Sequence, residues 1–346
     1  MVYVSSPMID RGTREDGYLP FVSVIVIGKN EERNLRACFR SILAMDYPSD
    51  RLELIYIDSG SSDGSVKIAR GFGAKIFEER SAFPTPGLAR NRGIKESRHD
   101  RLHFVDGDMT IDKGYLKQAI GYLGKNNVAC VIGRVLERTR GKNIFSKMLD
   151  YEWMKKKAGY IDAPGAGGTF LKGALLEVGG YNPLILKGQE TELGFRIRES
   201  GYLIYMLDSV MGIHDYDITN LLGWVKRCYI MGKSYGKILT LPPKQSYSEL
   251  TFHARSLLIQ GPILLALFLL VLINGKLLYL LGILAVVVAY VIIRYWDEYY
   301  CRRDWHVLAY YLLMQVSKPI ALAGMLCFFW KHFIYDKFRS ILCEIE

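Results

Sequence analysis

The sequence predicts an α/β protein, a central and mostly parallel sheet followed by C-terminal transmembrane helices. Two observations point to the sheet. Apolar, β-branched runs alternate with helical periodicities from Phe21 to Val135, and three of those runs end in a polar or acidic residue at Asn30, Asp58 and Asp106. A third points to the helices: the residues after about 256 are far more apolar than those before them, in a chain that is 50% hydrophobic.

The first element is Phe21 to Ile27 (FVSVIVI), a nearly continuous apolar run of the kind a strand shows when both faces are covered. Gly28-Lys29-Asn30 turns the chain. Asn30 is expected to cap a helix whose first turn holds Glu31 and Glu32 and whose buried stripe is Leu35, Cys38, Phe39 and Ile42. Leu52 to Ile57 is a second buried strand closed by Asp58; a polar loop, Ser59 to Ser65, leads into a helix near 64–71. Ala74 to Phe77 gives a third strand, and Pro86 to Ile94 a helix.

Leu102 to Val105 then ends in Asp106-Gly107-Asp108, a buried strand delivering two carboxylates to its own carboxyl end. Hard divalent cations take oxygen ligands and share one or two protein carboxylates with substrate phosphates, so the pair suits Mg2+ or Mn2+. Beyond it come a helix over 113–124, a strand Val128 to Val135 and a lysine-rich amphipathic segment near 143–158. The small-residue stretch Ala163 to Phe170 reads either as backbone that approaches a ligand or as a connector. Glu190 and Glu192 open a helix that ends near Gly201, and His214 follows a strand.

Five of these segments, SVIVIGKNEERNL, YIDSGSSDGS, LARNRG, VDGD and GQETELGFRIRESGY, together resemble the family 2 glycosyltransferases with a GT-A fold, over residues 20 to 235. The resemblance implies an inverting transferase that takes a nucleotide-sugar donor and Mn2+ or Mg2+. It assigns Asp58, Asn30 and Glu31 to the nucleotide pocket and Arg90 to the donor. Asp106 and Asp108 match the pair that holds metal and diphosphate, and Glu190 the catalytic base, where this chain has Gln189-Glu190 in place of Glu-Asp. In some relatives a histidine near His214 completes the metal site. The chemistry agrees with this: a cation stabilises charge developing on a diphosphate leaving group, and a carboxylate takes the proton of an attacking hydroxyl.

From Trp224 to Tyr235 bases and aromatics interleave along a helix suited to a membrane headgroup layer, with Arg227 and Lys233 able to neutralise a diphosphate. The QxxRW string of processive relatives is absent, so transfer of a single sugar is expected. Leu257 to Ile273 and Leu277 to Ile293 are charge-free runs near the roughly 20 residues that cross a bilayer, joined by Asn274-Gly275-Lys276. Arg294, Arg302 and Arg303 then favour a cytoplasmic catalytic side. A third run, Val307 to Trp330, contains Lys318-Pro319 and reads as spanning or re-entrant.

The domain expectation is thus a tail (1–20), a catalytic domain (21–222), interfacial helices (223–256), membrane segments (257–330) and a second tail (331–346). Asp10, Arg11, Arg14, Glu15 and Asp16 leave the first twenty residues without a signal-peptide core. The six cysteines show neither CxxC nor paired histidine spacing, as expected of reduced thiols facing the cytosol. The net charge of +10 is matched to a membrane surface; no RNA-binding signature accompanies it, and no nucleic-acid partner is expected. The expected partners are a nucleotide-sugar donor, the bilayer of the cell membrane, crossed more than once, and a membrane lipid or lipid-linked acceptor. A base at Glu190 favours an acceptor hydroxyl. The alternatives are a polyprenyl-phosphate sugar synthase and an inactive nucleotide-binding membrane scaffold.

Overall fold

A computed structural model describes residues 19–240 apart from 82, 139–142, 155, 166, 216, 217 and 219, and beyond them 258–264, 266, 285, 287–293 and 306–331. The chain divides into two compact units, 1–138 with 153–216, and 139–152 with 217–346.

In the first unit β1 (Val22–Gly28), β2 (Leu52–Asp58), β3 (Lys75–Glu78) and β4 (Arg101–Asp106) alternate with α1 (Glu32–Leu43), α2 (Ser65–Gly71) and α3 (Pro86–Glu96). Then follow β5 (Met109–Ile111), α4 (Tyr115–Tyr122), β6 (Val128–Glu137) and α5 (Ile144–Met154), which straddles the two units. After it come β7 (Gly159–Ile161), β8 (Gly168–Leu171), α6 (Lys172–Glu177), α7 (Gln189–Glu199) and β9 (Leu203–His214).

All nine strands join one sheet in the order β3-β2-β1-β4-β8-β6-β9-β5, with β7 beside β9. β1 to β4 are parallel, and β8 runs against both β4 and β6, so β6 and its parallel partner β9 point the same way as β4. Six strands therefore share one direction, while β5, β7 and β8 oppose them. The sheet is thus mostly parallel, as expected, and the three reversed strands are the part the alternation of strand and helix does not reveal. Each is only three or four residues long, too short to show a periodicity in sequence.

Burial explains the long strands. Val22 to Ile27 is buried throughout, and α1 covers it with Leu35, Cys38, Phe39 and Ile42. Thr85 caps α3 by accepting the Leu88 N–H at 3.3 Å, with Pro86 in the first turn, where its missing N–H costs nothing. Within the stretch 163–170 the described residues form an irregular approach to β8. Gly167 has φ +79°, and a Cβ there would lie 2.9 Å from the Phe104 carbonyl oxygen, so this glycine serves the approach of two strands. Asn30 is not the cap of α1. It takes φ +58°, Glu31 holds the cap position, and Asp63 Oδ2 accepts the Glu32 N–H at 3.1 Å. That partner comes from the loop after β2, which no local pattern reveals.

In the second unit α8 (Leu221–Leu239) packs on α9 (His306–Phe329). Tyr311–Phe329, of mean hydropathy 1.6, is the one helix among the described residues long and apolar enough to cross a membrane. The helix continues through Lys318-Pro319 without a break. The expected spans 257–273 and 277–293 fall largely outside the described residues, whose helical pieces there are 258–264 and 287–293.

His103 in β4 is fully buried, its Nδ1 3.2 Å from the Gly168 carbonyl oxygen and from Thr169 Oγ1. Burial pushes its pKa down to about 4 from an ordinary 6.5, so between those values the unfolded chain binds more protons and stability is lost as the pH is lowered. At pH 4.5 this one group costs roughly 2–3 kcal/mol. Thermal unfolding in detergent between pH 7 and 4.5 should therefore lose stability less steeply in His103→Gln than in the parent; equal slopes would contradict this account.

Candidate active site

Because β1, β2, β4, β6 and β9 point the same way, their carboxyl ends line one edge of the sheet, where ligands bind in open α/β folds. β4 ends in Asp106. Gly107 donates its N–H to the Ile27 carbonyl at 2.8 Å, and β5 then pairs with β9 so that Met109 stands opposite His214. This pairing returns the histidine to the two acids. Its Nε2 lies 3.6 Å from Asp106 Oδ2 and 3.4 Å from Asp108 Oδ1.

Glycine at 107 sits closely against its neighbours. A Cβ there would lie 3.0 Å from Glu31 Cγ and 3.2 Å from the Ile27 carbonyl oxygen. Glu31 thus sits against the turn that carries both aspartates.

Asp106 has a second partner on its other oxygen. Arg90 of α3 donates from Nη2 to Asp106 Oδ1 at 2.8 Å and from Nη1 to Glu190 Oε1 at 3.2 Å, and its guanidinium lies 5.2 Å from the centre of the Tyr181 ring. Its side chain is 2% exposed, whereas Asp106 and Glu190 are 21% and 20% exposed. The arginine is therefore buried behind two carboxylates that reach solvent. Glu190 and Glu192, alike in sequence, separate here: Glu192 is buried and paired with Arg196 one turn on, at 2.6 Å.

The electrostatics follow from this crowding. Burial alone would raise Asp106, but Arg90 and His214 outweigh it and hold the carboxyl well below its usual range. Burial, with the Asp106 charge, pushes Asp108 up to about 6 even though His214 opposes the shift. Burial and then the Asp108 charge push Glu31 up to about 7. Burial disfavours the imidazolium of His214, yet Asp106 and Asp108 raise it above the ordinary histidine value. Negative charge accumulates here beyond what Arg90 neutralises, which is the condition for cation binding.

The donor set fits a divalent ion: Asp106, Asp108 and His214 each offer one ligand atom, all within 4.8 Å of one another.

The other expected residues fall in two places. Asp58 is buried at the end of β2, and its Oδ2 accepts N–H groups of Gly60 and Ser61 at 3.1 and 2.9 Å, so this carboxylate shapes its own loop. Asn30 Oδ1 accepts the Ser62 N–H at 2.8 Å, tying the β1 turn to that loop. Arg227 and Lys233 belong to the second unit, on α8. There Arg227 Nη2 lies 3.2 Å from Glu152 Oε2, and Lys233 stands over the Tyr229 ring.

Sequence reasoning missed Tyr181, Lys187 and Glu137. The Lys187 charge acts on Asp106, and the Glu137 charge on His214, which it faces across the β6–β9 pairing. Lys187 was open to notice, standing just before Gly188-Gln189-Glu190; Tyr181 and Glu137 sit among unremarkable residues.

Comparison with known proteins agrees with this geometry. Residues 23–172 match the glycosyl transferase family 2 domain. Glycosyltransferase AglE of Haloferax volcanii is 26% identical over 57% of this chain and 67% of its own length. The probable glycosyltransferase YdaM of Bacillus subtilis is 26% identical over 54% of this chain and 48% of its own. The chain thus spans about half to two thirds of these relatives. The mannosyltransferase PcManGT of Pyrobaculum calidifontis, solved with GDP-Man and Mn2+, shares the fold with a TM-score of 0.64 at 18% identity. That alignment covers 91% of this chain and 89% of the other. The fold is mixed α/β and GT-A-like.

Arg90→Met would leave Asp106 and Glu190 facing each other without their cation. A loss of roughly 3–5 kcal/mol is expected from breaking such a buried pair, read by chemical denaturation. Unchanged stability would show that solvent already screens both acids.

Proposed function

We propose that this protein transfers one sugar from a nucleotide-sugar donor to a hydroxyl of a membrane-associated lipid or lipid-linked glycan, with inversion at the anomeric carbon. The observation that carries the reading is the single buried Arg90, which holds Asp106 of the candidate metal cluster and the candidate base Glu190 at 2.8 and 3.2 Å. Both halves of a displacement reaction are thereby fixed to one guanidinium. The family match and the GDP-Man and Mn2+ of the similarly folded mannosyltransferase support a nucleotide-sugar donor and a divalent cation here.

Asp106, Asp108 and His214 would hold the ion, which when bound supplies positive charge against the donor diphosphate. Glu190 accepts the proton of the acceptor hydroxyl as that oxygen bonds to the anomeric carbon, while the electron pair of the breaking bond leaves with the nucleoside diphosphate. Arg90 keeps Glu190 aimed and balances the charge behind Asp106. Asn30, Glu31 and Asp58 form the nucleotide side of the cleft in this reading, Asp58 by shaping the loop. A base at position 190 favours a hydroxyl over a lipid phosphate, which arrives already ionised.

The runs 257–273 and 277–293 are the proposed membrane anchor, with the catalytic domain cytoplasmic. The test is a donor panel with extracted membrane lipids and Mn2+, followed by EDTA. Glu190→Gln should lower transfer roughly 10²- to 10⁴-fold with nucleotide binding retained. Asp108→Asn should lose both transfer and Mn2+-dependent nucleotide binding at an unchanged unfolding temperature. Full activity in either variant would overturn the assignment.

A further inference from the structure

α8 and α9 pack through glycines. A Cβ on Gly232 would overlap the backbone of Ala321, and one on Gly324 would overlap the Tyr229 carbonyl; Gly236 meets Met325 and Phe328. Such contacts bring two backbones together as small residues do in membrane helix pairs. Their register gives the direction: Cys228 bonds Ser317, Gly232 meets Ala321, and Gly236 meets Met325 and Phe328, so both sequences rise together along the seam. The two helices run parallel and side by side, so they share one depth in any membrane.

That shared depth decides between the two readings of α9. α8 carries Lys226, Arg227, Lys233 and Lys237, of which Arg227 pairs with Glu152. If α9 crossed the bilayer, this parallel partner would take those cations into hydrocarbon beside it. A second contact gives the same answer. Lys318, at the midpoint of α9, donates to Gln260, and a Cβ on Gly261 would lie 3.0 Å from the Leu322 side chain. Gln260 and Gly261 lie at the start of the apolar run 257–273, where it would enter the membrane from the polar side. The middle of α9 is thus level with the membrane surface rather than with its centre.

We infer that α8 and α9 lie as a parallel pair in the plane of the membrane surface, neither crossing it, on a leaflet of anionic lipid. This rests on the membrane reading of the proposed function. Exposed Leu221, Leu222, Leu326 and Trp330 supply apolar contact with the acyl boundary, and the lysines meet headgroup phosphates. Lys318, costly at mid-bilayer, sits at headgroup depth.

The full chain carrying one epitope tag before Met1 and another after Glu346 tests this in sealed inverted membrane vesicles. Residues 332–346 are too few to cross, given the roughly 20 needed. Protease added outside should remove both tags without detergent. A C-terminal tag protected until detergent is added, beside an exposed N-terminal one, overturns the inference while leaving membrane attachment intact. Photoactivatable lipids give the depth: a headgroup probe should label peptides of α8 and α9, and labelling of α9 by a probe at the acyl-chain terminus overturns the inference. A chain that does not sediment with the vesicles overturns the membrane reading itself, and this inference with it.

Discussion

The architecture depends on one buried cation. Arg90 is an interior arginine whose charge is matched only because β4 brings Asp106 to it from one side and α7 brings Glu190 from the other. Burying a guanidinium costs several kcal/mol unless its partners are held in place. The sheet order meets that requirement: β4 neighbours β1, whose Ile25 underlies α3 at Gly93, so helix and strand are fixed to one another before the arginine reaches outward.

A division of labour follows along the sheet edge. The half built from β1, β2 and their loops spends its polar groups on itself, with Asp58, Asn30, Ser61, Ser62 and Asp63 closing a network of backbone amides. The half built from β4, β5 and β9 leaves carboxylates crowded against one imidazole. One side is preorganised in shape and the other in charge, as expected where a nucleoside is bound by form and a diphosphate by electrostatics.

Much of this was legible in the chain. The long buried strands show as unbroken apolar runs because both their faces are covered, and Asp58, Asp106 and Asp108 stand out as acids at the ends of such runs, while Glu190 shows as an acid in the first turn of a helix. The short reversed strands were not legible, since three or four residues carry no period and their pairing is set by distant partners. The role of Asn30 was misread for the same reason: its own sequence resembles a helix cap, while the groups that cap α1 arrive from the loop after β2. Glu190 and Glu192 could not be separated in function by spacing. Their difference lies in which arginine each faces, and Arg90 is far away in sequence.

The contact between Gly107 and Glu31 has a consequence for redesign. The turn that carries both aspartates is closed by a side chain from a different strand-helix unit, and an added Cβ would lie 3.0 Å from it. A larger residue at 107 would push Glu31 aside by a few tenths of an ångström, and a shorter residue at 31 would relieve that contact without touching either aspartate. The two positions therefore form a coupled pair, best varied together.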